Sequence, residues 1–109
     1  MESTIKLTVK LDDEKIPEYL GWEAADSGMD GEKPAEAFMM SVWDPKEHTT
    51  LRIDLWTKRM LVDDMKRFFF ENFATMADTY MRATNDEAGS KMIRDFSEEF
   101  RKKTEEKSK

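Results

Sequence analysis

The single histidine of the chain, His48, is the first residue to consider for catalysis, because an imidazole titrates near neutral pH. Glu47 precedes it and could tune it as a general acid or base. A catalytic triad would also need a nucleophile and a residue that orients the imidazole. Thr49 and Thr50 follow His48, but nothing in the sequence marks either for that role. We therefore interpret His48 as an exposed loop residue and predict that the protein is not an enzyme.

Two acidic clusters, Asp12-Asp13-Glu14 and Asp63-Asp64, have the side chains that hard cations prefer. An EF-hand loop needs alternating oxygen ligands, a glycine at its sixth position and a closing glutamate, and neither cluster has that pattern. The chain has no cysteine for thiolate chemistry, and its four glycines are scattered rather than gathered in a phosphate-binding loop. We predict no metal site and no bound cofactor.

Charge restricts the partners that the chain can bind. Its 109 residues carry a net charge of -6, which disfavours binding to a nucleic-acid backbone. Residues 101–109 nevertheless hold five bases and two acids. We interpret them as the frayed, solvated end of a helix, and a weak contact with a membrane or a nucleic acid is the alternative.

No segment has the composition of a targeting or membrane-spanning sequence. The amino-terminal residues alternate between apolar and charged side chains and contain no apolar core of a signal peptide. No run approaches the roughly 18 apolar residues that mark a membrane helix. We expect a cytoplasmic protein without membrane insertion.

Period-two alternation of apolar residues predicts the elements that position these side chains. The predicted strands are residues 5–11, a weaker segment around residues 20–24, residues 37–43 and residues 50–56. Residues 27–34 contain two glycines and a proline, so we predict a loop there and expect it to be the most mobile segment.

The pattern then changes to the 3.6-residue period of amphipathic helices. The apolar stripe of the first helix consists of Val62, Met65, Phe69, Phe73, Met76 and Tyr80. Asp63 and Asp64 lie in its first turn, where the helix dipole favours anions. Thr84 and Glu87 have the spacing of a capping box and predict the start of a second helix. The stripe of that helix consists of Met92, Ile93, Phe96 and Phe100.

Strands followed by helices predict an α+β fold, in which one four-stranded antiparallel sheet carries two carboxy-terminal helices on one face. The strands follow one another too closely for helical crossovers, which argues against a parallel sheet. We predict a single domain over residues 1–100, with residues 101–109 as a charged tail.

The apolar residues of the last two predicted strands determine how these strands pair. A shift of the pairing by one residue would move every side chain of a strand to the opposite face. The register that gathers the apolar residues on one face pairs Phe38 with Leu55, Met40 with Ile53 and Val42 with Leu51. The second face then carries Met39, Trp43, Arg52, Asp54 and Trp56. We predict that these five residues form a protein-binding or oligomer surface, since large exposed apolar patches usually mark a partner.

Two readings of this second face remain open. In the first, it contacts another protein or a second copy of the chain. In the second, the sheet curls and residues 27–34 fold over the tryptophans.

The chain resembles the GldC family of gliding motility-associated proteins, small proteins of gliding Bacteroidota. The matching stretches are STIKLTVKLDDEKIPE, GWEAAD, SVWDPK and TLRIDLWTKRMLVDDMKRFFFENFATMADTYMRATND. RIDLWTK and MADT are the specific part, whereas AEAFMMSVW and the charged tail match more loosely.

The resemblance implies a non-enzymatic accessory protein of gliding motility, cytoplasmic or peripheral to the motility apparatus of the cell envelope. It implies protein partners in that machinery, or a second copy of the chain, and it carries over no catalytic residue or cofactor. The order of elements is also similar to that of the SecB-type export chaperone subunit, which implies an alternative role as a chaperone or adaptor for exported components. This second similarity is one of fold alone, which is a weak basis for function.

Overall fold

The computed structural model describes residues 1–25, 28 and 31–107, without the side chains of residues 106 and 107. The strands are β1 Ile5–Leu11, β2 Pro17–Ala24, β3 Lys33–Ala35, β4 Ala37–Asp44 and β5 Thr49–Trp56. The helices are α1 Val62–Thr84 and α2 Glu87–Lys107. Two compact units result, Met1–Met60 with the strands and Leu61–Lys109 with the helices. The single-domain boundaries stay a prediction.

The prediction of an α+β fold with two carboxy-terminal helices is confirmed. The prediction of one four-stranded sheet is wrong, because the strands form a three-stranded sheet in the order β1-β2-β3 and a separate pair, β4-β5. A single residue, Glu36, separates β3 from β4. The strand predicted over residues 37–43 is β4, and it begins at Ala37 as expected. The short strand β3 before it was not predicted. β3 pairs with β2, whereas β4 pairs with β5.

The three-stranded sheet is antiparallel and amphipathic. Val9 lies opposite Leu20, and Leu20 lies opposite Ala35, so small and branched apolar residues line one face. Leu20 is completely buried and is the centre of this packing. Pro34 lies opposite Gly21, where the absence of a proline N–H is tolerated at a sheet edge.

The predicted register of the β4-β5 hairpin is confirmed at every position. Phe38 pairs with Leu55, Met40 with Ile53, Val42 with Leu51 and Trp43 with Thr50. Alternation of apolar residues was sufficient here because only one register keeps them on a common face.

The segment after β5 fastens the hairpin to the other strands of its unit. The N–H of Thr57 donates to the carbonyl oxygen of Glu36 at 2.8 Å, and Thr57 itself is almost fully buried. Lys58 forms an ion pair of 3.3 Å with Asp12 in the β1-β2 turn. The guanidinium of Arg59 donates to the carbonyl oxygen of Glu18 at 3.0 Å. The Thr57-Lys58-Arg59 sequence thus has a structural role.

The two helices form an antiparallel pair around an aromatic cluster. Phe73 of α1 makes edge-to-face contacts with Phe96 and Phe100 of α2, each at a centroid distance of 5.2 Å. Ala77 is fully buried where the hydroxyl of Ser90 donates to its carbonyl oxygen at 2.8 Å. Small residues therefore allow a close approach of the helix axes.

The apolar stripe predicted for α2 coincides only in part with the face that packs on α1, where Phe96 and Phe100 contact Phe73. Ser90 and Ser97 are buried, whereas Met92 and Phe96 are more than half exposed. The second helix also begins differently from the prediction, because Asp86 and not Thr84 provides the cap: the N–H of Gly89 donates to Asp86 Oδ1 at 3.0 Å. Thr84 is the last residue of α1.

The two segments that we expected to be irregular are partly regular. Residues 101–107 continue α2, so this part of the predicted tail is helical. Residues 33 and 34 of the predicted loop belong to β3. Residues 26, 27, 29 and 30 lie outside the described residues, as do residues 108 and 109.

Candidate functional site

The second face of the β4-β5 hairpin carries the residues that we predicted to form a contact surface. We call it the hairpin surface and define it as Met39, Ser41, Trp43, Arg52, Asp54 and Trp56. The register places all six side chains on one face, because Met39 pairs with Asp54, Ser41 with Arg52, Trp43 with Thr50 and Ala37 with Trp56.

An ion pair occupies the middle of the hairpin surface. Arg52 donates to Asp54 through Nη2 at 2.8 Å and through Nε at 3.2 Å, a bidentate arrangement with defined geometry. Arg52 also donates to the hydroxyl of Ser41 on the neighbouring strand. The Asp54 carboxylate raises the pKa of Arg52. The two charges neutralise each other, so the centre of the surface presents a fixed polar pattern without net charge.

The tryptophans lie at opposite ends of the hairpin surface. Trp56 pairs with Ala37, which is six residues along β4 from Trp43. At about 3.3 Å per residue this separates the two tryptophan positions by about 20 Å along the strands. Trp43 is 62% exposed and Trp56 is 56% exposed. The surface therefore consists of two aromatic anchors that flank a polar centre, rather than one cluster.

The turn of the hairpin holds Trp43 against His48. The rings meet edge to face at 6.2 Å. Asp44 Oδ1 accepts hydrogen bonds from the N–H groups of Lys46 at 2.9 Å and Glu47 at 3.3 Å, and His48 has a left-handed φ of 52°. This Asx turn shapes the backbone that leads to His48. The sequence did not indicate the contact, because the two rings are brought together by the turn.

The reverse face of the hairpin is also exposed near the turn. Val42, Leu51 and Ile53, which the predicted register gathers on this face, are each about half exposed. Alternation predicts which residues share a face, but it does not predict how much of that face is covered. Both faces of the hairpin therefore present apolar side chains.

The acidic clusters have structural positions in this fold. Asp12 Oδ1 accepts hydrogen bonds from the N–H groups of Glu14 at 2.8 Å and Ile16 at 3.0 Å. The pKa of the Asp12 carboxyl lies below its ordinary value. The hydrogen bond from Ile16 is the largest cause, and the bond from Glu14 and the ammonium of Lys58 lower the pKa further. Asp63 and Asp64 lie in the first turn of α1, as predicted. Among the described residues, no three His, Cys, Asp or Glu side chains are grouped as metal ligands.

A groove between α1 and α2 is a second concave feature of the molecule. Phe70 and Arg101 line it, with the guanidinium 6.0 Å from the ring centroid. Arg101 is already paired with Glu98 at 3.0 Å and with Glu105 at 3.1 Å. The charge of Arg101 is therefore balanced by carboxylates of α2.

Comparison with known proteins gives the hairpin a family context. The family model described as "Gliding motility-associated protein GldC-like" matches residues 17–106. The chain belongs to the GldC-like family. The resemblance drawn from RIDLWTK and MADT is thus confirmed, and membership in the GldC-like family associates the protein with gliding motility. No curated protein and no solved structure matches the chain.

The matched range includes the complete hairpin surface, all of α1 and α2 as far as residue 106, whereas β1 precedes it. Neither helix, over the residues that the structure describes, combines the length and apolar character needed to cross a bilayer.

Proposed function

We propose that this protein is a non-enzymatic accessory component of gliding motility that acts by binding another protein of the machinery through the hairpin surface. The observation that carries the proposal is the exposure of Trp43 and Trp56 on a hairpin that lies within the GldC-like range. Tryptophan is among the residues most enriched at binding hot spots. Exposure of two tryptophan side chains to water is unfavourable, which supports a binding role for them.

The polar centre of the hairpin surface would supply specificity. Arg52 and Asp54 are held in a bidentate pair, so a partner meets a preformed pattern of donors and acceptors. Such preorganisation reduces the conformational entropy lost on binding. In this proposal the tryptophans provide affinity and the ion pair selects the partner.

The test is capture from a lysate of the native cells, membranes included, on the immobilised protein. We expect a small set of envelope-associated motility proteins with the wild type and their loss with the Trp43→Ala, Trp56→Ala double variant. The matched control is Val42→Ala with Leu51→Ala, which removes apolar side chains that are about half exposed from the reverse face. Equal losses with both double variants would contradict the assignment of binding to the hairpin surface.

Recovery of the protein alone would redirect the proposal towards a second copy as the occupant. Light scattering of the purified protein distinguishes that case, because self-association through the tryptophans would make the mass of the wild type exceed that of the double variant. Loss of cooperative unfolding in the double variant would instead assign the tryptophans to the core.

A chaperone or adaptor of the SecB type is the second candidate function. The observation that favours it is the exposure of both faces of the hairpin, because an unfolded client needs a broad apolar surface rather than one patch. Competition by unrelated unfolded proteins would support this candidate, and strict selectivity for one partner would oppose it. The packing of the helices on a sheet face, as in that fold, stays a prediction.

The absence of enzymatic function is part of the proposal and has its own test. His48 is the residue that a catalytic mechanism would need, and its ring contacts Trp43. We expect a His48→Ala strain to glide normally, with the protein cytoplasmic or peripheral to the envelope apparatus. A gliding defect with normal protein levels would reopen the catalytic hypothesis.

A further inference from the structure

β5 is the more exposed strand of the β4-β5 pair. It has eight residues, contains no proline and, within the described residues, pairs only with β4. Leu51 is 54% exposed and Ile53 48%, whereas residues 37–40 of β4 are half-buried. Native sheets commonly protect an exposed edge with proline, a bulge or charges that repel another strand. Because β5 has no proline and no break in its register, its charges decide what can pair with it.

The hydrogen-bond pattern shows which backbone groups of β5 face the open edge. The N–H of Thr57 donates to the carbonyl oxygen of Glu36 at 2.8 Å, and this pair continues the β4-β5 register. In an antiparallel pair, hydrogen-bonded positions alternate with positions whose backbone groups point away. The residues that bond to β4 are therefore Leu51, Ile53 and Leu55. The outward groups belong to Thr50, Arg52, Asp54 and Trp56. Within the described residues, these groups have no backbone partner.

The charges of β5 select one register for a second copy of the strand. An antiparallel partner must place outward residues opposite outward residues, so the two-fold axis of a self-pair passes through a residue rather than between two residues. An axis at Arg52 or at Asp54 sets like charges opposite each other, which destabilises a strand pair. An axis at Ile53 sets Arg52 of each copy opposite Asp54 of the other. Because β5 has no other charged residue, no other axis pairs opposite charges within the strand.

We propose that the β5 edge binds the β5 edge of a second copy of this chain, as antiparallel strands about a two-fold axis at Ile53. The pair extends from Thr50 to Trp56 and joins two hairpins into one sheet of order β4-β5-β5-β4. Arg52 and Asp54 already form an ion pair of 2.8 Å within each copy. In the dimer the four side chains form a ring in which each charge has opposite charges beside it and across from it.

The apolar face of β5 fits the same register. Ile53 lies opposite Ile53 of the other copy, and Leu51 lies opposite Leu55. These side chains belong to the reverse face of the hairpin, where Leu51 and Ile53 are about half exposed. Pairing brings them beside apolar neighbours, and the burial of apolar surface adds to the backbone hydrogen bonds.

Pairing at the edge leaves the hairpin surface open and extends it. Trp56 of one copy lies opposite Thr50 of the other, and that Thr50 pairs with its own Trp43. Two strand spacings then separate Trp56 of one copy from Trp43 of the other by about 10 Å, compared with about 20 Å within one copy. The inference does not rest on the protein partner proposed above, because the edge and the face are different parts of β5.

The mass of the full chain in solution is the first test. The interface is at the small end of specific interfaces, so we expect a dimer that dissociates on dilution. Analytical ultracentrifugation between about 10 µM and about 1 mM should show the mass rising from the 12.8 kDa of one chain towards twice that value. A monomeric mass at every concentration would overturn the proposal and leave the edge to a strand of another protein.

Exchange of the two charges separates this interface from any other self-contact. Arg52→Asp and Asp54→Arg each set like charges opposite one another, so each variant alone should dimerise about tenfold more weakly than the wild type. An equimolar mixture of the two variants sets opposite charges together again and should regain the dimer. The variant with both substitutions should regain it as well. Single variants as strong as the wild type, or a mixture no stronger than its components, would overturn the proposal.

Backbone variants separate the edge from its side chains. Thr50→Pro removes one outward N–H and no bond to β4, whereas Thr50→Ala removes the side chain and keeps that N–H. We expect Thr50→Pro to lose the dimer and Thr50→Ala to retain most of it, with the folding of both checked by thermal unfolding. Equal dimerisation by the two folded variants would contradict pairing through the backbone.

Amide hydrogen exchange, followed by NMR, locates the pairing on the strand. The amides of Arg52 and Asp54 should exchange more slowly as the protein concentration rises, because they become bonded in the dimer. The amides of Leu51 and Ile53 should change little, since they already bond to β4. A dimeric mass without this alternation along β5 would assign the dimer to another surface and overturn the proposal.

Discussion

Leu20 is the residue on which the three-stranded sheet depends most. It is completely buried and lies between Val9 and Ala35 on neighbouring strands. We predict that Leu20→Ala lowers the free energy of unfolding by about 2–5 kcal/mol, the range for truncation of a buried leucine. Urea denaturation measures the change. Leu51→Ala is the control, because Leu51 is 54% exposed and its truncation should cost far less. Equal costs would contradict the description of this core.

Asp86 links the stability of the helical unit to pH. Its carboxylate accepts hydrogen bonds from the N–H of Gly89 at 3.0 Å and from the hydroxyl of Tyr80 at 2.8 Å, and these bonds lower its pKa. A lowered pKa in the folded state means that the stabilisation is complete above the unfolded value of about 3.9. It is lost as the pH falls through the folded-state value.

We therefore predict that Asp86→Ala lowers the midpoint of thermal unfolding by a few degrees at neutral pH. Asp86→Asn keeps a side chain that caps helices well but removes the charge. Below about pH 4, the thermal midpoint of this variant should therefore fall less than that of the wild type. If the thermal midpoints of the wild type and of Asp86→Asn fall equally below about pH 4, other carboxylates determine the pH dependence of stability there.

Polar residues inside the helical unit are the ones that the sequence did not predict. Ser90 and Ser97 are buried because each hydroxyl donates to a backbone carbonyl, of Ala77 and Arg94 respectively. A hydropathy pattern predicts that serine is exposed. The pattern does not show that folding brings a carbonyl oxygen to the hydroxyl and so allows the serine to be buried. Tyr80 and Asp86 are similar: their hydrogen bond forms only once the chain has turned between the helices.

At the scale of elements, Gly89 permits the close contact between the start of α2 and Tyr80. A Cβ at this position would lie 2.5 Å from Asp86 Oδ2 and 2.7 Å from Tyr80 Cε2. Helix propensity alone would make Gly89→Ala stabilising by about 1 kcal/mol. We predict the opposite sign, a lower thermal midpoint, because the methyl group would displace Tyr80 from the cap.

Relief of this clash is the control for the prediction. In a Tyr80→Ala background the space is open on that side, so Gly89→Ala should be less harmful than in the wild type. Additive effects of the two substitutions would contradict a clash between Gly89 and Tyr80 as the cause.

The strands that the sequence predicted were those with alternating apolar residues. β1, β4 and β5 have that pattern and β2 has a weaker form of it, and the register of β4 with β5 followed from the pattern. β3 was missed because it has only three residues, one of them Pro34, and follows two glycines. A short strand of this kind is set by its pairing with β2 rather than by its own composition. The division into two sheets could therefore not be predicted from the sequence.

At the scale of the whole molecule, the residues of the candidate site and their register were predictable, but the exposure of the reverse face was not. Alternation placed Met39, Trp43, Arg52, Asp54 and Trp56 on one face. The separation of the tryptophans by about 20 Å followed from the complete register, and the exposure of the reverse face required the structure. No pattern in the residues indicated motility, which came from the family alone. In our proposal the protein acts through a surface that no sequence motif would report.

The most direct test of the central claim is the gliding of cells whose own copy of the protein is replaced by the Trp43→Ala, Trp56→Ala variant. Protein level and thermal midpoint are measured in parallel, with the Val42→Ala, Leu51→Ala variant as the control. The account predicts impaired gliding by the tryptophan variant, at normal protein level and stability, and near-normal gliding by the control. Normal gliding by cells with a folded tryptophan variant would contradict a role for the hairpin surface in motility.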